Sequence, residues 1–318
     1  MCGYQPKFTI SARSINLVSE ISSLVTSISH ASLTRDIRLR NRNRVRSIQS
    51  SLQIEANSLT VEQVTAIFEG KRVMGPSKDI REVDNAIRAY DLISQLDPYS
   101  VKDLLRLHGI MMAGLTEQSG MFRTVGVNVV NSKTGEVIHY APNPDYVPRF
   151  VGELMEWAAS ADDHPLIVSC VFHHEFEFIH PFTDGNGRTG RLWQTLILSK
   201  WDSIFEWIPV ESKIRDRQSE YYRCIQKATD ENDTSTFIDF MLEAIRDALV
   251  KMVNENNSGY EQKILQLIAD GDYTNANEVA DRLGVSEKTV RRAISSLKEK
   301  CLIERDGSDK NGIWIIRK

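Results

Sequence analysis

The stretch from His180 to Arg191, His-Pro-Phe-Thr-Asp-Gly-Asn-Gly-Arg-Thr-Gly-Arg, constrains this chain more than any other. Its proline breaks a helix, and its three glycines weaken either kind of regular element. Most of its other side chains are polar, so the run cannot serve as core. Before it, Val168, Val171, Phe172, Phe176 and Ile179 recur at helical spacing. After it, Leu192, Trp193, Leu196 and Ile197 continue as a second apolar helix. The chain must therefore fold as helix, tight turn, helix, with a polar turn held between two apolar helices.

The turn's backbone N–H groups then lie at the start of the second helix. Oriented amides and the positive end of the helix dipole make a cradle for anions there. Arg188 and Arg191 are three residues apart, so on a helix they share a face and both can reach a polyphosphate. The planar guanidinium fork grips phosphate oxygens in pairs. Asp184 can hold Mg²⁺, which binds through one or two carboxylates plus substrate phosphates. His180 is the one residue of the run whose ordinary pKa suits general-base work near neutrality. These groups together point to phosphoryl or nucleotidyl transfer, against the plainer reading of a glycine-rich helix connection capped by Asp and Asn.

With those residues in place, the run resembles the signature of the Fic family, His-Pro-Phe-x-Asp/Glu-Gly-Asn-Gly-Arg-x-x-Arg, at every defining position. The resemblance implies a mainly α fold: a helical Fic domain with a small β-hairpin flap. It implies a protein adenylyltransferase, moving AMP from ATP to a hydroxyl of a target protein and releasing pyrophosphate. Carried over position by position, His180 would deprotonate the hydroxyl and Asp184 would coordinate Mg²⁺. Gly185, Asn186 and Gly187 would hold the α-phosphate region, and Arg188 and Arg191 the β- and γ-phosphates.

Two further segments extend the resemblance. Gly120 to Gly126, then Val127 to Val130, Asn131 to Gly135 and Glu136 to Tyr140, read as a short hairpin, with β-branched Val127, Val129 and Val137 and a polar turn. Prolines at 142, 144 and 148 follow. The hairpin is similar to the Fic flap, on which an extended target segment would pair, with Val127, Asn128, Val129, Val137, His139 and Tyr140 as its docking residues. An ordinary surface hairpin is the plainer alternative. Upstream, Ser51 and Glu55 sit four apart on one helix face within residues 47–57. That segment resembles the inhibitory helix of many Fic proteins, whose glutamate pairs with the second signature arginine, here Arg191. Ala56 departs from the family's Gly or Asn at the next position, which leaves the helix end undefined. Some relatives with this glutamate also remove AMP.

The chain has 318 residues, 41% hydrophobic and 26% charged, enough for a sizeable core and two domains. A net charge of −4 gives no global case for nucleic acid. Cys2, Cys170, Cys224 and Cys301 are scattered, which suggests neither a disulfide framework nor a zinc site, and Cys170 reads as core. No run approaches the roughly 18 apolar residues of a membrane span. No membrane partner is expected, and the cytoplasm is the default location. Arginines at 35, 38, 40, 42, 44 and 46 read as a solvated helix face rather than a nucleic-acid contact. His173 and His174 read as packing residues, since adjacent histidines point to different faces.

The expected organisation is an N-terminal helical region over 1–60, a catalytic domain over 61–250, a polar linker over 251–259 and a small α+β domain over 260–318. Helices are expected at 15–25, 61–68, 83–96 and 101–112, the last capped by Ser100. In the last domain, helices near 260–268, 277–284 and 287–300 and a hairpin with its turn at Asp306 to Asp309 resemble a winged helix-turn-helix. Ala280, Leu283, Val285, Val290 and Ile294 would be buried. Lys288, Thr289, Arg291 and Arg292 would face a DNA major groove. Residues 259–318 hold 11 Lys/Arg against 10 Asp/Glu, a weak basic footprint, so DNA contact and protein contact both stay open. Two other functions stay open: a DNA-binding regulator with a secondary Fic domain, and a Fic enzyme using UTP or GTP. Self-modification, a homodimer and the acceptor residue are not decided by the sequence.

Overall fold

In a computed structural model, residues 4–28, 37–130, 137–271, 273, 275–306 and 313–317 are described. Local sequence explains where most helices begin. α1 (Ala12–Ser27) and α2 (Ile37–Ile54) come first. Thr60 forms a reciprocal capping box with Gln63 and opens α3 (Val61–Phe68). α4 (Ser77–Asp91) gives way to a short 3₁₀ turn at Ile93–Gln95, so the helix expected at 83–96 starts earlier and ends sooner. The Ser100 hydroxyl accepts from the Asp103 N–H and caps α5 (Val101–Met111), as its position suggested.

A two-stranded antiparallel hairpin, β1 (Asn128–Val130) and β2 (Val137–Tyr140), is followed by α6 (Val147–Ser160). α7 (Pro165–Ile179) and α8 (Asn186–Trp201) flank the polar run. α9 (Val210–Asp216) and α10 (Gln218–Glu231) lead to α11 (Ser235–Ala269), 35 residues long.

The core of this first body is built mainly from α2 and α4–α8. Ile48 and Leu52, Val83 and Tyr90, Leu104 and Leu107, Phe172 and Phe176, and Leu192 and Trp193 are all shielded from solvent. Each such large apolar side chain contributes about 1.5–3 kcal/mol on burial. Trp193 also donates its indole N–H to the Pro98 carbonyl at 3.0 Å. Gly190 lets α7 and α8 approach closely, since a Cβ there would meet the Phe176 ring at 3.0 Å and Glu177 Oε1 at 3.2 Å.

Two further sequence expectations differ from the structure. Asn254 to Gly259 continue inside α11 instead of forming a loose linker. Polar composition does not end a helix that is already nucleated and has no proline; one Gly costs only about 1 kcal/mol. Arg44 is buried rather than solvated, lying 4.7 Å from the Trp207 ring centroid and 5.3 Å from that of Tyr90. Its aromatic neighbours come from distant segments, which helical periodicity does not reveal. Arg35 lies outside the described residues, as do the expected turn at Asn131 to Gly135 and, apart from Asp306, the expected turn at Asp306 to Asp309.

The chain divides into two compact units, one of residues 1–22 and 38–248 and the other of residues 23–37 and 249–318. In the second, α12 (Ala276–Leu283) ends at Gly284, which adopts a left-handed conformation at φ 66°. Ser286 caps α13 (Glu287–Glu299), and β3 (Ile303–Asp306) pairs antiparallel with β4 (Ile313–Ile316). Ala280, Val290 and Ile294 are buried with Ile264, Leu297 and Ile303, and Leu283 and Val285 pack partly buried against them. This is the order of a winged helix-turn-helix.

Candidate active site

His180 ends α7 in a left-handed conformation, φ 50° and ψ 62°. A non-glycine residue pays roughly 1–2 kcal/mol for that backbone, so neighbours must hold it. Arg123 does so. Its Nε donates to the His180 carbonyl at 2.7 Å, and its Nη2 to the carbonyls of Pro142 at 2.6 Å and Ile179 at 3.3 Å. Its Nη1 reaches the Val125 carbonyl at 3.0 Å. One buried guanidinium thus fastens the end of α7 to both segments that flank the hairpin.

The His180 ring has its Nδ1 3.3 Å from the Glu177 carbonyl, which can only accept; this makes Nδ1 the protonated nitrogen and leaves the Nε2 lone pair free. Burial lowers the pKa of His180 to about 4, so the ring is neutral near pH 7.

A second histidine supports the turn from beneath. The Gly120 N–H donates to His108 Nδ1 at 2.9 Å, so Nε2 carries the proton and donates to the Asp184 carbonyl at 3.0 Å. The His108 ring stacks on Phe182 with centroids 3.6 Å apart. Burial lowers its pKa to about 4, which keeps it neutral.

Gly185 takes φ 82° and turns the chain into α8, where a Cβ would run into Met112. The resemblance gave Asn186 a nucleotide-holding part; its carboxamide also fixes the turn. Oδ1 accepts from the Phe182 N–H at 2.9 Å, and Nδ2 donates to the Phe182 carbonyl at 2.8 Å. Arg188 donates to Glu82 at 2.9 Å and to Asp184 at 2.8 Å. Asp184 Oδ1 also accepts from the Gly185 N–H at 2.6 Å, and the Asp184 side chain is 51% exposed.

Among the described residues, no group of three or more His, Cys, Asp or Glu is arranged to hold a metal. A single accessible carboxylate beside a helix N-terminus nevertheless fits Mg²⁺, which takes most of its other ligands from substrate phosphates and water.

Arg191 is held by α2. Its Nη2 donates to Glu55 Oε1 at 2.8 Å and to the Ser51 carbonyl at 3.0 Å, and its Nε donates to the Ser51 hydroxyl at 3.1 Å. Burial opposes the Arg191 charge, but the Glu55 carboxylate more than offsets this and raises the pKa above its ordinary value. Glu55 lies directly over the first turn of α8, because a Cβ on Gly187 would stand 2.5 Å from its Oε1. Ala56 sits at φ 65°, with Asn57 N–H bonded back to the Leu52 carbonyl at 3.1 Å. The helix end left undefined by sequence is thus a left-handed turn, built without the usual glycine.

In the hairpin, Asn128 faces Tyr140, Val129 faces His139 and Val130 faces Val137, with an irregularity after Val129. Val127 accepts from Ala141 N–H at 3.3 Å, just outside the ladder. Tyr140 is 72% exposed, and Asn128 and Val137 are exposed as well. His139 is instead seated on α7: its ring stacks on Phe178 at 4.5 Å, and its Nε2 lies 3.1 Å from the Phe178 carbonyl. With only two strands, each keeps one edge outside the ladder. In the second unit, Lys288, Arg291 and Arg292 are exposed on α13, Thr289 is partly covered, and Arg291 pairs with Glu287.

Sequence reading passed over Glu82, Arg123, His108 and Glu177 as members of this site. Glu82 and Asn85 carried a detectable signal, because both sit on the apolar face of α4 with Ala86 and Ala89. Glu82 bridges Arg188 to Asn57, whose Nδ2 lies 2.8 Å from it.

The site and fold define a class of protein. The Fic/DOC family model matches residues 98–198, and a DeoR-like helix-turn-helix model matches residues 261–306. The crystal structure of a Fic family protein from Desulfovibrio desulfuricans G20 is 38% identical, covering 99% of this chain and 98% of that one, with a TM-score of 0.77. The chain belongs to the Fic/DOC family and carries a DeoR-like helix-turn-helix domain at its C-terminal end. Among curated relatives, the protein adenylyltransferase Fic of Nematostella vectensis is 29% identical over 206 residues, 61% of this chain and 45% of its own length. Protein adenylyltransferase fic-1 of Caenorhabditis elegans is 29% identical over 195 residues, 57% of this chain and 36% of its own. The chain spans less than half the length of these relatives.

Proposed function

We propose that this chain is a protein adenylyltransferase that moves AMP from ATP to a hydroxyl of a target protein, the chain itself included where its own hydroxyls reach the site. The observation that carries this reading is the placement of a neutral His180, with Nε2 free, directly before the α8 N-terminus that bears Arg188 and Arg191. His180 Nε2 accepts the proton of the target hydroxyl as its oxygen bonds to the α-phosphorus. The bond from that phosphorus to the β-phosphate oxygen breaks, and pyrophosphate leaves. The α8 amides, Gly185, Asn186 and Gly187 line the phosphate cradle, and Arg188 and Arg191 bind the β- and γ-phosphates. A Mg²⁺ ion held by Asp184 would supply charge neutralisation on the phosphates. Val127, Asn128, Val129, Val137 and Tyr140 offer a strand edge to an extended target segment, and His139 anchors that edge.

The Glu55–Arg191 pair supports an autoinhibited resting state. While Arg191 is engaged by Ser51 and Glu55, it cannot grip the γ-phosphate. Labelled ATP, GTP and UTP incubated with the wild type, Glu55→Gly and Glu55→Gly/His180→Ala test both points. The expected result is strong AMP incorporation by Glu55→Gly only, with tenfold or greater loss on adding His180→Ala. Equal incorporation by wild type and Glu55→Gly removes the inhibition, and preference for GTP or UTP replaces the donor. The same assay on AMP-loaded target reads the reverse reaction, removal of AMP.

A second reading concerns residues 260–318. Exposed Lys288, Arg291 and Arg292 on α13, together with the DeoR-like match, favour a DNA contact by this domain.

A further inference from the structure

Glu177 is an acidic side chain of the site that the transfer reaction above does not use and that, unlike Glu82, leaves a buried carboxyl oxygen without a hydrogen-bond partner. It lies on α7, one turn before His180, and is almost wholly buried. Its Oε2 is 3.8 Å from His180 Nδ1, and its Oε1 is 3.9 Å from His173 Nε2. Oε1 has no hydrogen-bond partner. Burying a carboxyl without partners costs on the order of 1–3 kcal/mol, so such a group marks either strain or use.

His173 gives Glu177 neither a hydrogen bond nor a charge. His173 is already satisfied: its Nδ1 bonds Gln194 Oε1 at 2.6 Å and its Nε2 bonds the Tyr221 hydroxyl at 3.0 Å. Burial lowers the pKa of His173 to about 3, so it carries no charge for Glu177 to balance. The charged and titratable groups facing Glu177 are His173 and His180 on α7, Arg191 on α8, Glu55 on α2 and Tyr221 on α10. Of these, only His180 changes charge during the transfer reaction.

We propose that Glu177 is a positioning residue that provides the counter-charge for His180 as it accepts the target's proton. The inference rests on the adenylyl-transfer reading for its consequence in turnover, but its physical content is a charge coupling within the protein alone. The target O–H bond breaks, the proton bonds His180 Nε2, and the new positive charge is balanced across 3.8 Å by the Glu177 carboxylate. No bond to Glu177 forms or breaks. The geometry assigns a direction to the coupling with Glu55. Arg191 favours ionised Glu177 and Glu55 opposes it, so departure of Glu55 leaves Glu177 readier to bear its charge. Burial first, then Glu55, raises the Glu177 pKa to about 7, within the range where this ionisation can be followed.

The test is a titration of the His180 ring resonances by NMR in the full-length Glu55→Gly protein, with and without Glu177→Gln. Because loss of Glu55 makes Glu177 easier to ionise, the expected result is an inflection below pH 7 in the parent that Glu177→Gln removes. An identical His180 titration in both proteins overturns the proposal. Glu177→Asp, which keeps a carboxylate, should keep the inflection; it also serves if the Gln variant does not fold, and an Asp variant without inflection overturns the proposal too. In the transfer assay on the Glu55→Gly background, Glu177→Gln should lower kcat about tenfold and remove the acid limb below pH 7, leaving KM for ATP unchanged. A fall in rate with an unmoved pH profile marks a merely structural role and overturns the proposal. Absence of AMP transfer in every variant removes the enzymatic reading, while the titration still decides the coupling.

Discussion

Ala56 sits where a helix end calls for glycine, at φ 65°. The backbone strain there is roughly 1–2 kcal/mol, of which glycine would return part, since glycine also frees the unfolded chain by about 0.4–1 kcal/mol. Ala56→Gly should therefore raise stability by about 0.5–1 kcal/mol, read as a higher denaturant midpoint at unchanged slope. The same change should lower the basal AMP transfer of the wild type, because the turn that carries Glu55 becomes firmer. A gain in transfer would show that the turn does not govern Glu55. His180 shows the opposite arrangement: its left-handed backbone is secured by Arg123 rather than relieved by glycine, which the proposed transfer reaction requires because it uses an imidazole at that point.

Among the elements, α7, the turn and α8 were legible from apolar spacing on either side of a polar, glycine-rich run. The capping of α5 by Ser100 and of α13 by Ser286 was also legible, because a cap is a local bond between near neighbours in sequence. The long helix α11 was not, since a run of Asn and Glu reads as a loop until the helices on both sides are known to be continuous with it. For α13, the exposed side chains test the DNA reading directly. Arg291→Ala and Arg292→Ala should each weaken retention of duplex DNA in a gel shift, and the binding of the parent should fall steeply with salt. Retention that is indifferent to salt and to both substitutions would assign the domain to protein contact. Arg291 is paired with Glu287, so Arg292 should have the larger effect.

Across the whole molecule, several histidines are buried neutral, and this sets a pH dependence of stability. Burial lowers His108 and His180 to about 4 and His173 to about 3, against an ordinary value of 6.5. A depressed histidine contributes stability that is present above pH 6.5 and lost as pH falls toward the folded value. Glu177 works the other way: raised to about 7, it contributes stability that is full below about 4.5 and lost as pH rises through 7. Three histidines outweigh one carboxyl, so Tm should fall by roughly 5 °C or more between pH 7 and pH 5. His173→Gln should flatten part of that slope. A Tm that holds steady over this range would mean the histidines are not neutral in the folded chain. Among the described residues, no helix is long and apolar enough to cross a membrane.

The sequence alone determined which chemical groups the site would contain and in what local order, because His180, Asp184, Arg188 and Arg191 lie within a single turn and its following helix. It also determined a mainly helical domain and a winged helix-turn-helix, since both are written in spacing and caps. Only tertiary structure decided how those groups are held. Glu82 reaches Arg188 across 106 residues and Glu55 reaches Arg191 across 136, while Arg123 grasps the His180 carbonyl 57 residues away. The Glu55 partner was legible only through family resemblance, Glu82 only as a polar residue on the apolar face of α4, and Arg123 not at all. The physical reason is that hydrophobic periodicity reports one element's own buried face, whereas a long-range polar contact depends on which faces meet.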